Sequence, residues 1–279
     1  MLTWDISVNW ILNMPGNRYE RLIESIFFEH YQDGSESFVF RRDEIPAHAE
    51  RLGIELPKNL GDVVYSFRYR SSLPDAILKM APPGKTWTIR PAGTGTYRFE
   101  LCDEASFVVR PNEILEIIRI PDSTPGVISM YALGDEQALL AKVRYNRLLD
   151  IFSGVTCYSL QSHLRTTVEK LGQVEADEVY VGVGRTGAHY VFPVEAKGRN
   201  ERLGLVQIEQ DIALCDSKFK QLICRPIAAQ FIGENEIALF EFRQTEDGVR
   251  MVDEKHYGLV PDTEVTAEDL ERYRQALPD

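Results

Sequence analysis

Apolar residues between Arg18 and Tyr31 recur at the three- and four-residue spacing of an amphipathic helix. The apolar positions are Leu22, Ile23, Ile26, Phe27 and Tyr31. The run that follows, Ser35–Phe40, is short and contains aromatic and β-branched residues, which is typical of a strand. The pattern therefore predicts a helix followed by a strand in this part of the chain.

Residues 41–100 combine two helical patterns with two β-rich segments. The predicted helices are Asp43–Leu52, which Gly53 ends, and a second helix that Pro57-Lys58-Asn59 opens and that runs to about Tyr69. The predicted strands are Thr86–Arg90 and Thr96–Leu101, joined by the Gly-rich turn Pro91–Gly95. Helix, turn, helix and β-hairpin is the order of a winged helix, a module that often binds DNA.

The rest of the chain mixes strands and helices. The predicted elements are strands at Ser106–Arg110 and Ile114–Ile120, a helix at Asp135–Phe152, a strand from Thr156, a helix at Gln161–Leu171, strands at Val174–Val183 and Tyr190–Lys197, a helix at Leu203–Asp216, and strands at Ile227–Ile232 and Ile237–Arg243. This order predicts an α/β (α+β) fold whose central mixed sheet is flanked by helices. The loop predicted at Pro121–Gly126 indicates a boundary between two domains, residues 1–125 and residues 126–279.

Charged residues stand in the two strands that flank the turn Gly184-Arg185-Thr186-Gly187. Because side chains alternate across a strand, Glu195 and Lys197 project from one face. A three-residue loop would place Asp177 nearly opposite Glu195, and a two-residue turn would bring Glu178 there instead. Glu175 is a further neighbouring acid, so the identity of the first carboxylate stays open between these residues.

Two carboxylates on adjacent strands, Asp177 and Glu195, form with the carbonyl of Ala196 an all-oxygen pocket that suits Mg²⁺. Such an ion polarises a phosphoryl oxygen and lowers the pKa of a bound water molecule. Lys197, on the same face, is placed to orient or deprotonate that water and to offset charge in the transition state. Hydrolysis of a phosphodiester needs each of these parts.

The spacing of Asp177 and Glu195-Ala196-Lys197 resembles the PD-(D/E)xK nuclease superfamily, which includes type II restriction endonucleases. The resemblance covers roughly residues 156–243, although Ala176 stands where the superfamily often has proline. It implies that Asp177 and Glu195 are metal ligands and Lys197 the catalytic lysine. It also implies that a glutamine of the following helix, Gln207 or Gln210, faces the site. Asp211 on that helix is expected at the surface.

The charge of the chain is distributed unevenly. Its 279 residues include 31 Lys or Arg and 43 Asp or Glu, a formal charge of -12, which argues against a uniformly DNA-binding surface. Residues 41–100, however, carry ten basic and seven acidic residues, whereas residues 241–279 carry five and eleven. The candidate DNA contacts in the mildly basic segment are Lys58, Asn59, Arg68, Arg70 and Arg90.

Several protein classes are disfavoured by the sequence. No apolar run approaches the ~18–20 residues that span a bilayer, and no basic region leads into an apolar one near Met1, so a cytoplasmic protein without a membrane partner is expected. The four cysteines form no Cys-x-x-Cys pair, which disfavours structural zinc. No Gly-x-x-x-x-Gly-Lys-Ser/Thr motif is present, so no nucleotide cofactor is implied.

These observations predict a Mg²⁺-dependent endonuclease that acts on double-stranded DNA and has type II restriction character. A homodimer is expected, because cutting both strands of a palindromic site usually needs two active sites. Two alternatives stay open. One is a DNA-binding protein or regulator that keeps the nuclease-like fold without cleaving, and the other is a repair or recombination nuclease that selects DNA structure.

Overall fold

The computed structural model describes residues 17–69, 72–104, 108–132, 135–169, 171–199, 201–246 and 248–275. The chain divides into two compact units, one of described residues up to Val109 together with 169–172, and one of the remainder from Arg110. The division thus precedes the boundary that the sequence placed after residue 125. The reason is strand β5, Ile117–Pro121, which pairs with the last strand of the second unit.

The first unit contains four helices and three longer strands among its described residues. Its helices are α1 Arg18–His30, α2 Ile45–Leu52, α3 Gly61–Tyr69 and α4 Asp75–Leu78. Its strands are β1 Ser37–Arg41, β2 Lys85–Gly93, β3 Thr96–Asp103 and the short β4 Val108–Val109. The first three strands form an antiparallel sheet in the order β1-β3-β2.

The predicted amphipathic helix at the start of this unit is confirmed. Asn17 caps α1 by accepting hydrogen bonds from the amides of Tyr19 and Glu20. The apolar stripe of α1 packs on the sheet, where the Phe27 ring lies 5.0 Å from that of Phe99 and 5.2 Å from that of Trp87. These buried aromatic contacts form the core that joins the helices to the sheet.

The second predicted helix begins later than the sequence indicated. Helix α3 starts at Gly61, and Lys58 and Asn59 lie in the turn ahead of it. The side chain of Asn59 accepts a 3.1 Å hydrogen bond from the amide of Gly61, so this residue ends the turn instead of opening the helix. The hairpin of β2 and β3 is confirmed, but its turn is shorter than predicted, because residues 91–93 belong to β2 and only Thr94 and Gly95 lie between the strands.

The second unit is larger and mixes strands with helices. Its helices are α5 Gly126–Tyr131, α6 Glu136–Tyr145, α7 Leu148–Ser153, α8 Leu205–Lys218 and α9 Ala267–Gln275. Its strands besides β5 are β6 Thr156–Val168, β7 Gly172–Val183, β8 His189–Lys197, β9 Leu203–Gly204, β10 Ile223–Cys224, β11 Ile227–Phe231, β12 Glu236–Thr245 and β13 Gly248–Val260.

The mixed α/β fold with a central mixed sheet is confirmed. The sheet has eight strands in the order β5-β13-β12-β11-β8-β7-β6, with β10 also beside β8. On one face, Val194 and Ala196 of β8 join an apolar cluster with Leu139 of α6. On the other face, Glu195 receives a hydrogen bond from Gln207 of α8. Helices therefore flank both faces of β8, the strand that carries the predicted chemistry.

The predicted helix at Gln161–Leu171 is wrong, because most of this segment belongs to strand β6. Strand β6 ends the sheet and exposes residues on both of its faces, as the consecutive residues Leu160 and Gln161 show. Such a strand lacks the alternation of apolar and polar residues that identifies strands in a sequence.

The helix predicted at Asp135–Phe152 is divided into α6 and α7 at Arg147, whose backbone is left-handed at a φ of 51°.

Two further predictions concern a short strand and a loop. The predicted strand Ser106–Arg110 lies partly outside the described residues, and its described part forms β4. The predicted loop Pro121–Gly126 connects β5 to α5, which begins at Gly126. No helix among the described residues is long and apolar enough to cross a membrane.

Candidate active site

Strands β7 and β8 form a hairpin that sets the relative positions of the candidate acids. Glu178 pairs with Val194, and the pairing continues to Val183 opposite His189. Beyond that pair the amide of Gly184 donates to the carbonyl of Ala188 over 2.9 Å, so the loop itself holds three residues, 185–187, and its last residue, Gly187, takes the left-handed φ of 82°. The three-residue alternative from the sequence is therefore confirmed, and it places Asp177 next in register to Glu195.

A direct hydrogen bond joins the two strands at this point. The amide of Ala196 donates to Oδ2 of Asp177 over 2.9 Å. The carboxylate of Asp177 is thus held against the backbone of β8, beside the residue that follows Glu195. The role of the Ala196 carbonyl as a metal ligand stays a prediction.

Glu195 and Lys197 are buried together at the end of β8. Each is only 4% exposed, and Lys197 Nζ lies 2.7 Å from Glu195 Oε1. Gln207 of α8 donates a second hydrogen bond to the same carboxylate oxygen. The structure therefore brings together Asp177, Glu195, Lys197 and Gln207, the arrangement predicted from the sequence.

Two further carboxylates belong to this cluster and were missed. Glu136, in the first turn of α6, has Oε1 3.4 Å from Lys197 Nζ. Asp211 is 2% exposed, so its predicted surface position is wrong. The spacing held a signal for Asp211, because it follows Gln207 by four residues and therefore shares its face of α8. No local signal identified Glu136, which approaches Lys197 only through the packing of α6.

The electrostatics of the cluster are those of crowded acids with one compensating cation. Burial and nearby carboxylates raise the pKa of Glu195 to about 8 and hold the pKa of Asp211 well above its ordinary value. Burial also raises the pKa values of Asp177 and Glu136. Lys197 favours the ionised carboxylates, and in turn Glu195 holds the pKa of Lys197 above its usual range despite burial. Such an excess of buried negative charge favours the binding of a cation.

The donors present suit a hard divalent ion. In the described part of the chain, Oε2 of Glu195 and Oδ1 of Asp177 accept no hydrogen bond, and Oδ2 of Asp211 is buried without a partner. Carboxylate oxygens are the ligands that Mg²⁺ prefers. Among the described residues, no three His, Cys, Asp or Glu side chains are already arranged to hold a metal ion. The two strand carboxylates therefore fit Mg²⁺ by chemistry, with water or substrate completing its shell.

The two alternative first acids lie in other environments. Glu178 is fully buried on the opposite face of β7, where Arg144 of α6 donates to it over 2.7 Å and Ser159 over 2.6 Å. Glu175 shares the face of Asp177, but its carboxylate contacts Arg165 at 2.6 Å and His163 at 3.3 Å. The geometry thus selects Asp177 as the partner of Glu195.

The remaining predicted residues are distributed over both units. Gln210 is buried on α8. Lys58 is exposed ahead of α3, and Arg90 lies 2.8 Å from Glu100 across the β2–β3 hairpin. The backbone of Arg68 belongs to α3, whereas Arg70 lies outside the described residues. DNA contact by these residues of the first unit stays a prediction.

A cleft of about 330 Å³ opens beside the cluster within the second unit. Its lining residues are Asp135, Glu136, Gln137, Gly198 and Glu201. Gly198 directly follows Lys197, and Glu136 contacts that lysine, so the buried cluster adjoins this open space. A ligand in the cleft would meet mostly carboxylate and amide groups.

Comparison with protein-family models, curated proteins and solved structures finds no match for this chain. The geometry of Asp177, Glu195 and Lys197 and the charges around them are therefore the basis for the chemistry of the site.

The crowded acids predict that the metal-free protein loses stability as pH rises. The ordinary pKa of Glu195 is 4.5 and its folded value is about 8, so between these values the folded state binds more protons than the unfolded state. The free energy of unfolding should then fall by about 1 kcal/mol per pH unit from this group. Urea unfolding in a chelator from pH 5 to 8 measures the slope.

A Glu195→Gln variant provides the control for this pH dependence, since it removes the titrating group and keeps the shape. Its slope should be shallower than that of the wild type. Equal slopes for the two proteins would contradict the raised pKa of Glu195. Adding Mg²⁺ to the wild type should flatten the dependence by compensating the carboxylates.

Proposed function

We propose that this protein is a Mg²⁺-dependent endonuclease that hydrolyses phosphodiester bonds in double-stranded DNA, of the PD-(D/E)xK type and with type II restriction character. The observation that carries the proposal is the set of Asp177, Glu195 and Lys197 on adjacent strands, in which Glu195 and Lys197 are buried and Asp177 is half-buried. Carboxylates beside a lysine at the end of a central strand suit hydrolysis of a phosphodiester.

Each residue of the set has a separate task in this proposal. Asp177 and Glu195 hold Mg²⁺, which when bound supplies Lewis-acid polarisation of the phosphoryl oxygen. Lys197 is held by Glu195 and Glu136, so its ammonium is positioned at the acids with little freedom. It orients the attacking water and offsets negative charge that develops at phosphorus. Gln207 fixes the Glu195 carboxylate from the side of α8.

The first unit is proposed to read DNA as a winged helix. Its described elements follow the chain order α1, β1, α2, α3, α4, β2 and β3, and its sheet has the order β1-β3-β2. In this arrangement α3 would be the recognition helix and the β2–β3 hairpin the wing. Lys58, exposed just ahead of α3, would then meet the DNA at the start of that helix.

A homodimer completes the proposal for restriction activity. A single set of Asp177, Glu195 and Lys197 hydrolyses one strand at a time, so a double-strand break at a symmetric site calls for two copies. Cleavage that is second order in protein, or a dimer seen in sedimentation with DNA, would support this assembly.

The test is incubation of the full chain with supercoiled plasmid and Mg²⁺. Nicked or linear plasmid should appear, and a chelator should stop the reaction. Asp177→Asn, prepared in the same way, should cleave at least about 100-fold more slowly because it loses a charged metal ligand. Cleavage by this variant at the wild-type rate would show that the activity comes from elsewhere.

The outcomes also separate the alternatives. Discrete fragments from long DNA support restriction. Tight binding of duplex DNA without cleavage in Mg²⁺ would instead support a non-cleaving regulator. Cleavage confined to branched or flapped DNA would support a repair or recombination nuclease. The proposed function is refuted if the wild type cleaves no DNA of any form.

A further inference from the structure

A short turn with two exposed arginines follows directly after Lys197. Its described residues are Gly198, Arg199, Glu201 and Arg202, here called the basic turn; Asn200 lies outside the described residues. Gly198 and Glu201 line the cleft beside the acid cluster. The two arginines are therefore close in sequence to the predicted catalytic lysine, and each directly follows a residue that lines the cleft.

The backbone of the basic turn is held in place by hydrogen bonds. The amide of Gly198 donates to Oε2 of Glu201 over 2.5 Å, and the amide of Glu201 donates back to the Gly198 carbonyl over 3.2 Å. Gln230, a buried residue of β11, donates to the carbonyl of Glu201 over 2.9 Å and to that of Gly198 over 3.4 Å. The turn is thus tied to the central sheet.

The side chains of Arg199 and Arg202 differ from most arginines of the second unit. Seven others in that unit form ion pairs with carboxylates: Arg119, Arg144, Arg147, Arg165, Arg225, Arg272 and Arg274. Arg199 and Arg202 are exposed and contact no hydrogen-bonding or charged group among the described residues. Two free guanidinium groups on a fixed turn are suited to an external anion.

The surroundings indicate which anion this is. The cleft that the turn borders is lined by Asp135, Glu136 and Glu201, so a phosphodiester entering it meets negative charge. Guanidinium groups on the turn that borders the cleft would offset that repulsion and bind phosphates without reading bases. We infer that Arg199 and Arg202 bind backbone phosphates of the duplex DNA that enters this cleft. This assignment rests on the proposed function, because it takes DNA as the ligand of the cleft.

The test compares the full chain with the variant Arg199→Gln/Arg202→Gln on a labelled DNA duplex, with Ca²⁺ in place of Mg²⁺. Each lost phosphate contact lowers the slope of log affinity against log salt by about 1. The double variant should lose about two units of slope and at least about tenfold in affinity at low salt. Arg199→Lys/Arg202→Lys should restore the slope, since lysine keeps the charge.

Arg243→Gln is the matched control, because Arg243 is an exposed arginine of β12 that also contacts no charged partner among the described residues. It should bind DNA like the wild type. Equal affinity and slope for the wild type and the double variant would overturn the assignment, even if plasmid is cleaved. If the wild type binds duplex DNA through these arginines but never cleaves it, the proposed nuclease activity is refuted and the phosphate-binding assignment stands.

Discussion

Replacing Lys197 with methionine should lower the rate of Mg²⁺-dependent DNA cleavage by about 10³-fold or more, with little change in DNA binding. The ammonium of Lys197 lies 2.7 Å from Glu195 Oε1 and 3.4 Å from Glu136 Oε1, so it sits at the centre of the acids. Methionine fills nearly the same volume without the charge. It therefore removes water activation and charge compensation, effects that typically account for 10²–10⁴-fold in rate.

Single-turnover cleavage of a plasmid measures this loss, and anisotropy of a labelled duplex in Ca²⁺ measures binding. Lys218→Met is the matched control, since Lys218 is exposed in the last turn of α8 and has no contact with the cluster among the described residues. It should cleave at the wild-type rate. A Lys197→Met protein that keeps native circular dichroism and cleaves within tenfold of wild type would remove Lys197 from the mechanism.

Replacing Arg144 with alanine should lower the free energy of unfolding by about 3 kcal/mol or more. Glu178 is fully buried, and both Nε and Nη2 of Arg144 donate to its Oε1, over 3.1 and 2.7 Å. Removing one partner of a buried ion pair leaves an uncompensated charge, which costs about 3–5 kcal/mol. Because the Arg144 side chain is 41% exposed, water can replace it and partly solvate Glu178, so the expected loss lies at the lower end of that range.

Urea denaturation followed by circular dichroism tests this loss of stability. Arg274→Ala is the comparison, since the Arg274–Glu271 pair is exposed on both sides and should contribute less than about 1 kcal/mol. The double variant Arg144→Met/Glu178→Leu should recover much of the loss, because the buried charge is gone. A loss for Arg144→Ala no larger than that for Arg274→Ala would mean that Glu178 is not buried as described.

The burial of Glu178 also explains why Asp177, and not Glu178, is the carboxylate opposite Glu195. Glu178 and Asp177 are neighbours in β7, and a shift of one residue in the pairing with β8 would exchange their faces. The three-residue loop ending at Gly187 prevents that exchange. Glu178 consequently stabilises the packing of α6 on the sheet, whereas Asp177 faces Glu195. A folded Glu178→Gln protein should therefore keep its cleavage activity.

The predictions that succeeded relied on short-range patterns. The amphipathic stripe of α1, the two β-rich runs around Gly184–Gly187 and the helix after Lys197 each appear within about a dozen residues. Strand β6 was predicted only at its start, because an exposed edge strand shows no regular alternation, and the part from Gln161 is a strand through its pairing with β7. The late start of α3 reflects the turn at Lys58 and Asn59, which the sequence assigned to the helix and which the hydrogen bond from Gly61 to Asn59 stabilises.

The sequence by itself determined that Glu195 and Lys197 share a face of one strand, because alternation follows from the backbone geometry of a strand. It also limited the carboxylate opposite Glu195 to Glu175, Asp177 or Glu178. Only the tertiary structure decided that this acid is Asp177, that Asp211 is buried, and that Glu136 contacts Lys197 from 61 residues away. The physical reason is that burial and electrostatic partners depend on which helices cover each face of the sheet, and that packing joins segments distant in the chain.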